Sequence, residues 1–160
     1  IGFSGGFRRS ELFNIQYDDI EFVNEGVKIL IKRSKTDQSG EGSIKAIPYF
    51  DNQEFCPVVA LKNYVKKKFL NSNEGKIFEI SDKSVALIIK RYAEKAGLDS
   101  SKYSGHSLRS GFATTAAEFG AEERNIMAMT GHKTTQMVRR YIQEANLFKN
   151  NALNLSLIHI

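Results

Sequence analysis

Two periods of apolar residues run along this chain, and they divide it into a short sheet followed by helices. Leu12, Phe13 and Ile15 mark a first helix over about residues 9–16. From residue 19 to 33 the pattern alternates, as in half-buried strands. Ile20 and Phe22 form one strand, Asn24-Glu25-Gly26 is a turn, and Val27, Ile29 and Ile31 share one face of a second. A polar, glycine-bearing loop from Arg33 to Gly42 precedes a third strand, Ser43–Tyr49. There Ile44, Ala46 and Pro48 lie on one face and Ile47 and Tyr49 on the other. The period then changes. Pro57 suits the first turn of a helix that carries Val58, Leu61, Val65 and Phe69 inward, with Lys66, Lys67 and Lys68 on the wet side. Ser81 is an N-cap for a helix with a core stripe of Val85, Ile88, Ile89, Tyr92 and Ala96, ended by Gly97. From Gly105 a helix turns Leu108, Phe112, Ala116 and Phe119 inward and closes at Gly120. A shorter one covers 122–129, and a last one covers 134–147. The expected fold is mainly α with a small three-stranded antiparallel sheet.

Composition narrows this picture. A length of 160 residues suits one domain with its own core. A net charge of +5 favours a polyanionic partner. Cys56 is the only cysteine, so no internal disulfide forms. Its small apolar side chain reads as buried, in a chain suited to the reducing cytoplasm. No apolar run is long enough to span a bilayer and no signal peptide is present, so a membrane partner is not expected. The opening Ile-Gly-Phe-Ser-Gly-Gly reads as the interior of something longer. It lacks both the dinucleotide-binding glycine pattern and the Lys-Ser/Thr ending of a P-loop. With no carboxylates clustered at ligand spacing, a metal-dependent nuclease is disfavoured and no metal or other cofactor is expected.

The candidate chemistry lies in residues 104–141. His106 and Arg109 are three apart, a spacing that gives helix residues a common face. His132 follows in Thr-Gly-His-Lys-Thr, and Tyr141 comes nine residues later. Planar, fixed, cationic donors suit a phosphate oxygen. On a DNA phosphodiester, Tyr141 supplies an oxygen nucleophile whose proton must be removed, since its ordinary pKa is ~10. Charge gathers on the non-bridging oxygens, where losing one fixed donor typically costs ~3–4 kcal/mol. Arg109 and Arg8 can supply such donors. Lys35, in the hairpin loop, can protonate the leaving oxygen, although Lys32 and Lys45 compete for that part. His106 is the natural general base, and His132 can hydrogen-bond a phosphate oxygen. Glu11 can hold Arg8 or His106. Arg8 is preferred to Arg9 for its spacing from Gly6 and to Glu11, which leaves Arg9 to solvent or a backbone phosphate. Arg139, Arg140 and Lys133 flank the site as DNA-binding candidates. Tyr141 also has a plain reading, as a core aromatic beside Val138 and Ile142.

Taken together, Gly6-Phe7-Arg8-Arg9-Ser10-Glu11-Leu12, Lys35-Thr36-Asp37, His106-Ser107-Leu108-Arg109, Gly131-His132 and Tyr141 resemble the catalytic motifs of the tyrosine recombinases, or phage integrases, in order and approximate spacing. The resemblance covers about residues 4–145. It implies site-specific recombination of double-stranded DNA through a 3′-phosphotyrosine link and a freed 5′-hydroxyl, without metal or ATP. It makes Tyr141 the nucleophile and Arg8 and Arg109 the phosphate clamp. Lys35 is then the general acid, His106 the acid/base, His132 a transition-state donor and Glu11 the supporting acid. The implied architecture is a recombinase catalytic domain over residues 1–148, truncated at its N-terminus, with a tail, 149–160, that docks on a partner or carries no native role. Family assemblies on DNA are tetramers, while a fragment can be monomeric. Arg8 is expected on a frayed start, so cleavage by this chain alone is expected to be weak or absent. Two competing readings are a type IB topoisomerase, which reseals the same strand, and an inactive remnant that only binds DNA.

Overall fold

A computed structural model describes residues 1–32 and 42–146. Among these residues it contains six α-helices and one three-stranded sheet: α1 (Arg9–Leu12), β1 (Ile20–Val23), β2 (Gly26–Ile31), β3 (Ser43–Pro48), α2 (Pro57–Lys68), α3 (Asp82–Lys95), α4 (Ser107–Glu118), α5 (Glu123–Thr130) and α6 (Thr135–Asn146). The sheet is an antiparallel meander in the order β1-β2-β3. Its expected mainly helical composition and its strand positions both hold.

Alternation sets the inner face of the sheet. Val27, Ile29 and Ile31 are buried on β2, and Ile47 is buried on β3. Lys45 occupies the remaining inward position of β3, opposite Ile29, while Ile44 is 66% exposed. The sheet covers Phe7, Leu12 and Ile15 on one side of the core, and Val58, Leu61 and Val65 of α2 complete it. Cys56 is buried as expected, and its Sγ accepts from the Phe50 amide. A second cluster joins the last three helices. Ala113 and Ala117 of α4 meet Ile126 of α5 and Val138 of α6, with Tyr141 and Ile142 packed against them. Two alanines one turn apart leave little side chain between α4 and α6, so the helices approach closely.

Some expectations are corrected. The first helix stops at Leu12 rather than near residue 16, because the following backbone pairs elsewhere. The Ile77 amide donates to the Ile15 carbonyl at 2.9 Å, and the Tyr17 amide to that of Gly75 at 2.8 Å. Lys68 is only partly on the wet side. Its ammonium donates to the carbonyls of Lys76 (2.7 Å) and Ile77 (3.1 Å) and pairs with Glu79. Phe119 caps the end of α4 and is 87% exposed, because the alanines hold the inward face of that helix. On α3, Val85 is buried, but Ile88 and Tyr92 are largely exposed. They line an open apolar groove of about 730 Å³ together with Phe3, Tyr64 and Leu98. Among the described residues, no helix is long and apolar enough to cross a membrane.

Candidate functional site

The seam between the two clusters is where the candidate residues meet. The N-terminal loop turns through Gly6, whose φ of +55° lies in the left-handed region that glycine adopts without a Cβ clash. An added Cβ there would come 2.9 Å from the Phe112 ring and 3.2 Å from the Thr130 methyl, so the loop sits flat against α4 and α5. Phe7 is fully buried behind it. Arg8, at the N-cap of α1, is therefore held and not frayed. Its Nη1 donates to Glu11 Oε1 at 2.8 Å and its Nη2 to the Gly131 carbonyl at 3.1 Å. The Arg8 amide donates to the other Glu11 oxygen at 2.9 Å, completing a reciprocal cap. Glu11 is almost wholly buried, as suits a carboxylate with cationic partners.

Arg109 enters from the first turn of α4. It is buried and its Nη1 donates to the Gly6 carbonyl at 3.4 Å. Burial, and then the Arg8 guanidinium, push it down to about 10, against the opposing pull of Glu11 and Tyr141. It stays cationic at neutral pH, yet its charge is held at a cost in stability. Gly131, at φ +64°, ends α5 in the left-handed conformation that allows the chain to turn at once into His132. The Thr130 hydroxyl donates its only proton to the Ile126 carbonyl at 2.7 Å. Its contact with His132 Nδ1, at 2.8 Å, must then be donated by the ring. Nδ1 thus carries the hydrogen of the neutral ring, and Nε2 presents a lone pair. Burial, then the charges of Arg109, Arg8 and Lys45, push His132 down to about 4, so the ring is neutral at physiological pH. The Tyr141 ring, on α6, lies 6.1 Å from it, centroid to centroid.

The structure brings together Arg8, Glu11, Arg109, His132 and Tyr141. His106 is the N-cap of α4. It is exposed and its ring makes no capping bond. Lys35 lies outside the described residues. The strand leading to its loop is anchored, since Lys32 pairs with the buried Asp19 at 2.6 Å. Arg9 does not point simply into solvent. Its side-chain stem lies directly over Gly105, where any Cβ would collide with it. Arg139 pairs with Glu123 at 3.3 Å, tying α6 to the start of α5. Arg140 and Lys133 are exposed near the same end. The sequence offers Lys45 only as a competitor of Lys35 and gives no sign of Thr130. Strand alternation alone carried the signal for Lys45, which shares a face with Ile47.

One consequence concerns pH. A ring held neutral by the fold binds its proton more weakly in the native than in the unfolded chain. The His132 contribution is complete above about pH 6.5 and is lost as pH falls toward about 4. The thermal midpoint of the native chain is expected to fall more between pH 7 and 4.5 than that of His132→Gln. Parallel curves would contradict this.

These residues match a wider pattern. A family model described as the phage integrase family matches residues 1–147. The chain belongs to the phage integrase family. Among curated members, an integrase/recombinase XerD homolog from Selenomonas ruminantium is 47% identical over 166 residues, covering 96% of this chain and 48% of its own length. The tyrosine recombinase XerA of Pyrococcus furiosus is 29% identical, covering 91% of this chain and 52% of its own. This integrase chain thus spans about half the length of the curated relatives it matches. Solved structures with the same fold include XerA recombinase, with a TM-score of 0.69 at 21% identity over 92% of this chain and 54% of that one. The XerH site-specific recombinase bound to its difH substrate gives 0.68 at 18% identity over 94% and 45%. All the motifs that carried the resemblance, Lys35-Thr36-Asp37 included, lie in the matched segment.

Proposed function

We propose that this integrase chain is the catalytic domain, about residues 1–148, of a site-specific recombinase that acts on double-stranded DNA in the cytoplasm. The convergence of Arg8, Arg109, His132 and Tyr141 from four separate parts of the chain carries this reading. Arg8 and Arg109 hold the non-bridging oxygens of one phosphodiester and oppose the charge that gathers there. The Tyr141 phenol oxygen attacks phosphorus and its proton passes to Nε2 of His132. The bond from phosphorus to the 5′ oxygen breaks, and that oxygen takes a proton from Lys35. The product is a 3′-phosphotyrosine and a 5′-hydroxyl. A 5′-hydroxyl from another strand then attacks the phosphotyrosine, returns a proton to Lys35, and expels the phenol oxygen, which recovers its proton from His132. One phosphoester is exchanged for another at each step, so no ATP enters the balance. We assign the phenol proton to His132 rather than to His106 because its free lone pair is at Nε2 and its ring neighbours Tyr141. The negative charge of the bound phosphodiester offsets the Arg109 and Arg8 charges that lower the ring's proton affinity in the free chain. His106, exposed at the rim, is left to a phosphate oxygen. Two solved relatives were captured with DNA, XerH on its difH substrate and the Tn1549 transposon integrase on a circular intermediate, which fits this reading.

The test is a suicide DNA substrate, nicked beside the cleavage point so that the freed segment diffuses away. A protein–DNA adduct stable to denaturant supports the proposal. Plasmid relaxation without recombinant products would favour the topoisomerase reading. DNA binding with no adduct, even in the intact parent protein, would favour the inactive remnant.

Arg9 gives a second expectation. Replacing Gly105 by alanine forces the Arg9 stem off the loop while leaving the backbone intact. DNA affinity should fall as it does in Arg9→Ala, with the slope of log affinity against log salt reduced by about one unit in each. An unchanged slope in Gly105→Ala would refute the contact.

A further inference from the structure

Lys45 is a charged group in the site that the proposed chemistry does not use, and its surroundings are specific. It extends from the inner face of β3 into the seam and is 5% exposed. Its ammonium donates to the carbonyls of Gly5 (2.8 Å), Gly6 (3.3 Å) and Met129 (2.5 Å), and lies 3.6 Å from Glu11 Oε2. It also sits 4.7 Å from the centre of the Phe7 ring. Gly5 and Gly6 belong to the loop that delivers Arg8. Met129 belongs to the last turn of α5, which delivers Gly131 and His132. One nitrogen thus bonds the two segments that carry Arg8 and His132, which meet where Arg8 donates to the Gly131 carbonyl.

We propose that Lys45 is a positioning residue, a clamp that holds the Arg8 loop and the His132 turn at one fixed separation. The inference rests on the recombinase reading above. An ammonium has three protons. Gly5 and Met129 take two, and Gly6 with Glu11 shares the third. None is left for a leaving group, so Lys45 does not compete with Lys35 as the general acid. The geometry also selects lysine, whose compact ammonium places three donors at wide angles, whereas a guanidinium offers its donors in one plane. Burial pushes Lys45 down to about 8, with Glu11 opposing the fall and Arg109 and Arg8 adding to it. The clamp is therefore mostly charged at neutral pH.

The test compares Lys45→Met, Lys45→Arg and Lys35→Ala in single-turnover cleavage of the suicide substrate, with the protein in saturating excess. A displacement of about 1 Å at a reacting centre can cost about 10²-fold. Lys45→Met is expected to cleave about 10²-fold more slowly with DNA affinity within about twofold of native, and Lys45→Arg to recover part of the rate. On a substrate whose 5′ leaving oxygen is replaced by sulfur, which needs no proton to depart, Lys35→Ala should be rescued and Lys45→Met should not. A native rate in Lys45→Met would overturn the clamp, and rescue by sulfur would make Lys45 an acid. If Lys45→Met fails to fold, NMR of the native chain decides. Lys45 ammonium protons that exchange far more slowly than those of exposed lysines support the clamp, and exchange at the exposed rate overturns it. If neither the native chain nor the intact parent protein forms an adduct, the recombinase reading fails, and the NMR result still decides whether the clamp exists.

Discussion

Replacing Tyr141 by phenylalanine is expected to abolish the covalent DNA adduct while leaving DNA affinity within about twofold. The substitution deletes one oxygen. The ring keeps its place beside Ile142 against Ala113, Ala117, Ile126 and Val138, so the fold loses almost nothing. Removing the nucleophile of a covalent enzyme can cost on the order of 10⁶ in rate. A single-turnover reaction on a nicked substrate, run on a denaturing gel, reads the result. An adduct of native yield in Tyr141→Phe would show that Tyr141 is only the packed aromatic of its plain reading.

Replacing Arg109 by methionine should separate activity from stability. The loss of one fixed cationic donor from a phosphoryl transition state costs ~3–4 kcal/mol, or about 10²–10³ in rate. Cleavage should fall by that much. Stability should not fall with it. Arg109 is buried, and its depressed pKa means that the fold disfavours its charge, through desolvation first and the Arg8 guanidinium second. An apolar side chain of similar length removes both penalties. Exchanging a buried ion for a well-packed apolar group is often neutral or stabilising by about 1–4 kcal/mol. The Gly6 carbonyl that Arg109 leaves still accepts from Lys45 at 3.3 Å. The thermal midpoint of Arg109→Met should therefore equal or exceed the native value while cleavage drops. A midpoint that falls steeply would mean that Arg109 is chiefly structural. Arg8→Met should behave differently, because it strips the nearly buried Glu11 of its 2.8 Å partner, so both activity and stability should drop.

Local patterns made much of this legible in advance. The strands follow from alternation, the helix ends from Gly97, Gly120 and Gly131, and the Ser81 cap from its accepted Ser84 amide. The candidate site residues were legible because the motifs that resemble the recombinases lie in short, ordered pieces. What could not be read depends on contacts between distant segments. Lys45 falls at an inward strand position, but only the approach of the Gly5–Gly6 loop and Met129 supplies acceptors that make a buried ammonium tolerable. The tautomer of His132 depends on where Thr130 sends its one proton, which the end of α5 decides. Phe119 and Tyr92 kept the period of a buried stripe, yet the two alanines of α4 fill its core face and α3 borders an open groove. Apolar periodicity marks a face without stating what covers it.

The proposed chemistry requires two arginines from distant segments and the Tyr141 oxygen to address one phosphorus atom. Vanadate adopts the five-coordinate geometry of phosphoryl transfer, so a crystal of this chain with nicked DNA and orthovanadate tests it most directly. Vanadium is expected bonded to the Tyr141 oxygen, with equatorial oxygens accepting from both Arg8 and Arg109 and His132 Nε2 beside the phenol oxygen. Vanadium bound to any other side chain, or an equatorial oxygen contacted by only one of the two arginines, would contradict it.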